Sequence, residues 1–274
     1  MTERLEKPVG VWHTWEKNRN ERGLFMKILI IRHADPNYEI DSLTETGWKE
    51  AELLAERIAR MDISAFYVSP LGRAQDTANC TLRKMGRTAE TKPWLREFTE
   101  VFIDRPDQTQ EKRICWDWLP ADWTAREVFF DHENWYTDPI FASAGVKEKY
   151  DWVIDGLDEL LKEHGYERNG LLYKAVRPSN ETIALYCHFG VEAVLLSHLL
   201  NISPVQLWHG TCSAPTGVTT LATEERREGI ATFRMLSFGD TGHLCAAGAE
   251  PSFSGRFREC YGNTWERRDD YLGL

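Results

Sequence analysis

"KILIIRHADP", residues 27–36, carries four aliphatic residues, Ile28 to Ile31, straight into Arg32, His33 and an Asp35-Pro36 turn. The aliphatic run reads as a buried strand. A cation and an imidazole stand on its last step. Either the strand has simply reached the surface, or these two side chains are aimed at a ligand. Parallel α/β sheets bind ligands at the carboxyl ends of their strands. The choice therefore depends on what else the chain brings to that edge.

The rhythm downstream is that of such a sheet. In "SLTETGWKEAELLAERIARM" the apolar positions 51, 54, 55 and 58 follow helical spacing, with Ser42 or Thr44 as the cap. "SAFYV" (64–68) reads as a second strand. The next helix is punctuated by Ser69 as N-cap, Pro70 at the first helical position and Gly86 just past the end, with a buried stripe at 74, 78, 82 and 85. "TAETKP" gives a short third strand. After a break, "ETIALYCH" (181–188) is an apolar run ending in histidine, followed by the helix "VEAVLLSHLLN" and two more strands, "TGVTTLAT" and "IATFRMLSF". The expected fold is α/β, a three-layer sandwich around a mostly parallel sheet.

The break, residues 99–178, is rich in aromatics and contains a helix expected near 143–164. It reads as an insertion covering the carboxyl edge of the strands. Residues 1–25 read as an N-terminal extension or docked arm carrying Trp12 and Trp15, and 26–244 as the catalytic domain. The tail, 245–274, either docks on the body or joins a homodimer interface; both readings stay open. The first 25 residues lack the apolar core of a signal peptide and no run is long enough to span a bilayer, so a cytoplasmic protein with no membrane partner is expected. The net charge of −10 argues against nucleic acid, and "GRFREC" and "ERRDD" near the end read as solvated surface. Six scattered cysteines without C-x-x-C spacing are expected to be reduced thiols.

The carboxyl edge collects a specific set of groups. The first strand ends in Arg32 and His33. The second ends at Ser69-Pro70, with Arg73 in the first turn of the helix that follows. The later strand ends in His188, and Arg96 and Glu97 follow the short third strand. A guanidinium fork suits phosphate oxygens, and a helix N-terminus attracts anions. A neutral imidazole is a competent nucleophile toward phosphorus. A second, charged histidine can stabilise the transferring group, and a carboxylic acid can protonate the leaving alcohol. These parts describe phosphoryl transfer through a phosphohistidine, with neither metal nor cofactor required. His209 and His243 lack metal-ligand spacing. His243 is expected to support the active edge, and His209 to cap a helix.

Four ordered motifs carry a resemblance. "RHADP", "LTETGWKEA" (43–51), "SPLGRAQDTA" (69–78) and "CHFG" (187–190) resemble the signatures of the histidine phosphatase superfamily, also called phosphoglycerate mutase-like, and "GDTGHL" is similar to a motif near that family's last strand. The resemblance covers about 26–98 and 181–244 and misses the insertion. It implies that His33 accepts the phosphoryl group, that Arg32, Arg73 and His188 form the phosphate pocket, and that Glu97 donates the proton, with Glu100 and Asp104 as rivals. The chain departs from the pattern in three places. Glu39 stands where an asparagine is common, so either Asn37 or Tyr38 substitutes in contacting substrate or the contact is absent. Phe189 follows His188 in place of glycine or aspartate. "FTEVF" replaces a glycine-bearing stretch of the mutases. The expected activity is a metal-independent phosphomonoesterase acting on a small phosphorylated metabolite. The alternatives are a phosphoglycerate-type mutase and a phosphate-recognising protein without turnover.

Overall fold

The computed structural model describes residues 25–106, 112–252 and 254. The expectations placed on the N-terminal extension and on "GRFREC" and "ERRDD" lie outside the described residues. The strands are β1 (Lys27–Arg32), β2 (Pro36–Asn37), β3 (Ser42–Leu43), β4 (Ala65–Val68), β5 (Glu90–Thr91), β6 (Phe102–Ile103), β7 (Arg113–Ile114), β8 (Tyr166–Asn169), β9 (Leu172–Ala175), β10 (Thr182–Cys187), β11 (Val218–Arg227) and β12 (Ile230–Asp240). The helices are α1 (Glu45–Ile58), α2 (Gly72–Met85), α3 (Pro120–Thr124), α4 (Pro139–Ser143), α5 (Val146–Glu163), α6 (Phe189–Leu200), α7 (Pro204–Gly210) and α8 (Gly242–Ala246). None is long and apolar enough to cross a membrane among the described residues.

One eight-stranded sheet runs in the order β5-β4-β10-β1-β11-β12-β9-β8. The half formed by β5, β4, β10 and β1 is parallel, and the other half is antiparallel. The expectation of a mostly parallel sheet therefore holds for the half that ends in His33 and His188. It misses β8 and β9, which leave the 99–178 segment and extend the sheet at its far side.

Strand periodicity sorts the core into two layers. Ile28, Ile30, Ile183, Leu185 and Cys187 face α5, α6 and α7. Leu29, Ile31, Ala184 and Tyr186 face α1 and α2. Because β1 and β10 are covered on both faces, their sequences are continuously apolar. Each buried aliphatic side chain stabilises the fold by about 1.5–3 kcal/mol. Pairing of β1 with β10 is in register from Lys27↔Thr182 to Arg32↔Cys187, and the His33 amide continues the ladder onto the Cys187 carbonyl at 3.0 Å.

Local signals set the two helices that flank the site. Thr44 caps α1, its hydroxyl oxygen accepting from the Gly47 amide at 3.0 Å while its proton goes to Asp35 Oδ2 at 2.7 Å. Helix α2 ends at Gly86, whose φ of +63° favours glycine. Its start differs from expectation: α2 begins at Gly72, with Leu71 as the N-cap residue. Ser69 is not the cap, because its hydroxyl is engaged by the Leu71 amide and by His188.

Candidate active site

The ends of β1 and β10 place His33 and His188 side by side, their ring centroids 5.0 Å apart, with both side chains buried. His33 Nδ1 lies 2.7 Å from the Ala34 carbonyl. A carbonyl only accepts, so Nδ1 carries the proton and Nε2 presents a lone pair. Arg73 Nε donates toward that Nε2 at 3.4 Å. The His33 pKa is lowered well below 6.5, first by burial and then by the Arg32 and Arg73 charges. The imidazole is therefore neutral near pH 7.

His188 Nε2 and Ser69 Oγ are 2.8 Å apart. The Ser69 oxygen already accepts from the Leu71 amide at 3.2 Å, which leaves its proton for His188 Nε2. Nδ1 of His188 is then the protonated nitrogen, buried and without a hydrogen-bond partner among the described residues. The His188 pKa is also lowered well below 6.5, by burial, then by His33, Arg73, Arg32 and Arg96. The second histidine, expected to carry a charge, is thus held neutral near pH 7. Two nearby guanidiniums and a second imidazole make an added positive charge unfavourable there.

The cations are held by different elements. Arg73 rises from the first turn of α2 and pairs with Asp41 Oδ1 at 2.6 Å. Asp41 Oδ2 accepts from the Gly72 amide at 2.7 Å, so one carboxylate fixes both the side chain and the helix that carries it. The exposed Tyr38 ring lies 5.3 Å from the Arg73 guanidinium. Asn37 turns its side chain to the Glu39 amide at 3.1 Å, inside its own hairpin. Arg32 Nη1 donates to the Ser213 carbonyl at 2.5 Å and to the Ser254 carbonyl at 3.0 Å, so part of the tail lies against it.

Among the three carboxylates considered, Glu97 is buried at the start of α6, whereas Glu100 is tied to Arg96 and Lys149 at the surface and Asp104 is exposed. Glu97 Oε1 accepts from the Phe98 amide at 2.8 Å and the Val191 amide at 3.1 Å. Two amides thus engage one oxygen of the carboxylate, Oε1. Gly190 makes this approach feasible: a Cβ there would lie 2.6 Å from Glu97 Oε1 and 2.3 Å from the Trp116 ring. Trp116, from the 99–178 segment, also meets the Phe189 ring edge-on at 6.0 Å.

His243 Nε2 is 3.0 Å from Thr216 Oγ1, and the Thr216 amide donates to the His33 carbonyl at 3.2 Å. Thr216 has a φ of +58°. His243 thus braces a left-handed residue behind His33. His209, expected to cap a helix, lies in the last turn of α7 and stacks on Trp123 at 5.3 Å while its Nδ1 bonds the Val205 carbonyl. Sequence reasoning missed Asp41, Ser213 and Glu192. Glu192 had a signal, as an acid within the otherwise apolar "FGVEAVLL".

Comparison with known proteins places the chain in a family. The sequence profile of the histidine phosphatase superfamily (branch 1) matches residues 28–235. Proteins named "Probable phosphoglycerate mutase GpmB" from Yersinia pestis and Yersinia pseudotuberculosis are 33% identical over 91 residues, which is 30% of this chain and 42% of theirs. The chain therefore spans about two fifths of the length of those curated relatives. The crystal structure of phosphoserine phosphatase in complex with 3-phosphoglyceric acid, from Entamoeba histolytica, superposes with a TM-score of 0.51 at 18% identity, covering 80% of this chain and 99% of that one. The structure titled "Mycobacterial hydrolase 2" gives a TM-score of 0.51 at 17% identity, covering 85% and 94%. These likenesses establish a shared fold.

Proposed function

The chain belongs to the histidine phosphatase superfamily, and from that premise we propose that it is a phosphomonoester hydrolase working through a phosphohistidine on His33. The observation that carries this reading is the His33 imidazole itself. It is buried, neutral, oriented by the Ala34 carbonyl, and offers Nε2 beside the Arg73 guanidinium and the His188 ring.

In the proposed reaction, Arg32, Arg73 and the free Nδ1–H of His188 bind the phosphoryl oxygens. Binding of a dianion there would raise the His188 pKa, so the second imidazole gains charge only when the site is loaded. The His33 lone pair attacks phosphorus in line with the ester oxygen, the P–O bond breaks, and Glu97 supplies a proton to the departing alkoxide. Water then attacks the phosphohistidine, giving its proton to Glu97 and releasing inorganic phosphate. Asn37 is not needed for any of these steps. These groups suffice for the cycle without a metal. The burial of His33 and His188 favours a protruding phosphoryl group on a small metabolite, with Tyr38 and Trp116 lining its surroundings.

His33→Ala should lower turnover of an aryl phosphate by at least about 1,000-fold with an unchanged far-UV spectrum and melting temperature. Undiminished turnover would refute the assignment, and acid-labile phosphate trapped on His33 would support it. A mutase that returns the phosphoryl group to its substrate is favoured by the name of the Yersinia relatives. Interconversion of phosphoglycerate positions without release of inorganic phosphate would select that reading.

A further inference from the structure

Helix α6 carries two ionisable residues, Glu192 and His198. His198 pairs with Asp158 at 2.9 Å, away from the site. Glu192, in the first turn, is 1% exposed and lies within reach of the Arg32 charge. Its Oε1 accepts from the Thr219 hydroxyl. The Thr219 oxygen in turn accepts from the Gly239 amide at 2.9 Å, which directs its proton at the carboxyl. The Ser213 hydroxyl is the other polar group beside the Glu192 carboxyl, in loose contact only, since neither it nor Glu192 Oε2 reaches hydrogen-bond geometry with any described residue. The carbonyl of that same Ser213 accepts from Arg32 Nη1. Arg32 Nε is also without a partner. A structural role alone would be met at lower cost by glutamine or an apolar side chain, because a buried carboxyl with one close bond and one loose contact is expensive.

Resting on the phosphate-pocket reading above, we propose that Glu192 is a positioning residue that takes up a proton when an anion fills the pocket, so that Arg32 turns its charge from Glu192 to the phosphoryl group.

The electrostatics run in that direction. Above about pH 7 the charge of Arg32 faces an ionised Glu192, and Arg73 is paired with Asp41. An arriving dianion competes for Arg32 and repels Glu192, which raises the proton affinity of the carboxyl. Burial already pushes the Glu192 pKa up to about 7, against lowering contributions from Thr219, Ser213 and Arg32. The other ionisable groups facing Glu192 are Glu97, which raises its pKa further, and the Cys187 thiol, which burial holds protonated. The coupling makes anion affinity fall as the solution becomes alkaline, since the proton must then be drawn from a more dilute supply.

Tungstate is a suitable probe, as it is a dianion throughout the neutral range. Its dissociation constant should rise up to about tenfold per pH unit above about pH 7. Calorimetry in two buffers of different ionisation enthalpy should show proton uptake accompanying binding at about pH 8. Glu192→Gln keeps an acceptor for Thr219 and should remove that share of the uptake and flatten the affinity profile. Any protonation of His188 on binding is common to both proteins, so the difference isolates Glu192. Equal uptake in the two proteins, or none in the wild type, overturns the proposal. Failure of the wild type to bind tungstate, or binding unaffected by Arg73→Met, overturns the pocket reading and this proposal with it.

Discussion

Asp41 grips Arg73 and the N-terminus of the helix that carries it with the two oxygens of one carboxylate, at 2.6 Å to Nη1 and 2.7 Å to the Gly72 amide. Asp41 itself has a φ of +46°, a left-handed conformation that aspartate tolerates better than most residues. The hairpin of β2 and β3 thus presents a fixed anchor for the cation that donates toward the His33 lone pair.

Asp41→Asn keeps an acceptor for the Gly72 amide but replaces the charge facing Arg73. Misplacing a positioning cation costs catalysis more than stability. We expect kcat/KM for an aryl phosphate to fall about tenfold to about a hundredfold, with the melting temperature nearly unchanged. An unaltered kcat/KM would show that Arg73 finds its position without Asp41.

Glu97→Gln separates a proton donor from a structural carboxylate. A poor leaving group, an alkyl alcohol, needs the proton; a nitrophenolate hardly does. Turnover of an alkyl phosphate should fall by about 100-fold to about 10,000-fold, and turnover of nitrophenyl phosphate far less. Equal losses on both substrates would remove Glu97 from the role of acid and reopen it for another group.

Four desolvated histidines, three buried and His209 half-buried, set the acid side of stability. His33 and His188 are held well below 6.5, and burial lowers His209 and His243 to about 4. A lowered histidine pKa means that the unfolded chain binds more protons. Stability is therefore fully present above about 6.5 and is lost as pH falls from there through 4, by up to about 1.4 kcal/mol per group per pH unit. Glu192 works against this trend, because its raised pKa favours the folded state on the acid side and loses that contribution as pH rises through about 7. Urea titrations from about pH 8 down to about pH 5 should show a monotonic decline in stability below about pH 6.5. A flat profile would mean that the imidazoles protonate without leaving their burial.

Gly190→Ala tests the junction of Trp116 and Glu97 with α6. The added Cβ would lie 2.3 Å from the Trp116 ring and 2.6 Å from Glu97 Oε1. Overpacking of this kind costs about 1–3 kcal/mol. We expect a matching drop in the urea midpoint and a lower kcat for alkyl phosphates, since Glu97 must shift. A silent substitution would show that the Trp116 ring moves aside freely.

The parts of the site that were legible in the sequence are those at the ends of secondary-structure elements. Arg32-His33 and His188 terminate apolar runs, and Arg73 opens a helix, so the rule that ligands gather at strand carboxyl ends places them together. Asp41 and Ser213 lie in loops whose partners are distant in sequence, and no local period marks them. The β8–β9 hairpin was hidden within a segment read as cover. Its two-residue Gly170-Leu171 turn, with Gly170 at a φ of +60°, was a hairpin signal, but the strands bury little beyond Tyr166 and Tyr173 and alternate weakly. The start of α2 was misplaced because the Ser69 hydroxyl, which local chemistry assigns to a cap, has a tertiary partner in His188.

The register of β1 against β10 has a consequence for how this protein tolerates change. The two imidazoles sit one step beyond a matched pair, Arg32 and Cys187, on neighbouring strands. Adjacent strands are spaced about 4.8 Å apart by main-chain bonds, close to the 5.0 Å between the rings. The gap between them is thus measured out by peptide geometry, a ruler common to every amino acid. Substitution elsewhere, lengthening of loops or exchange of the aromatic segment can retune what enters without recalibrating the reactive pair.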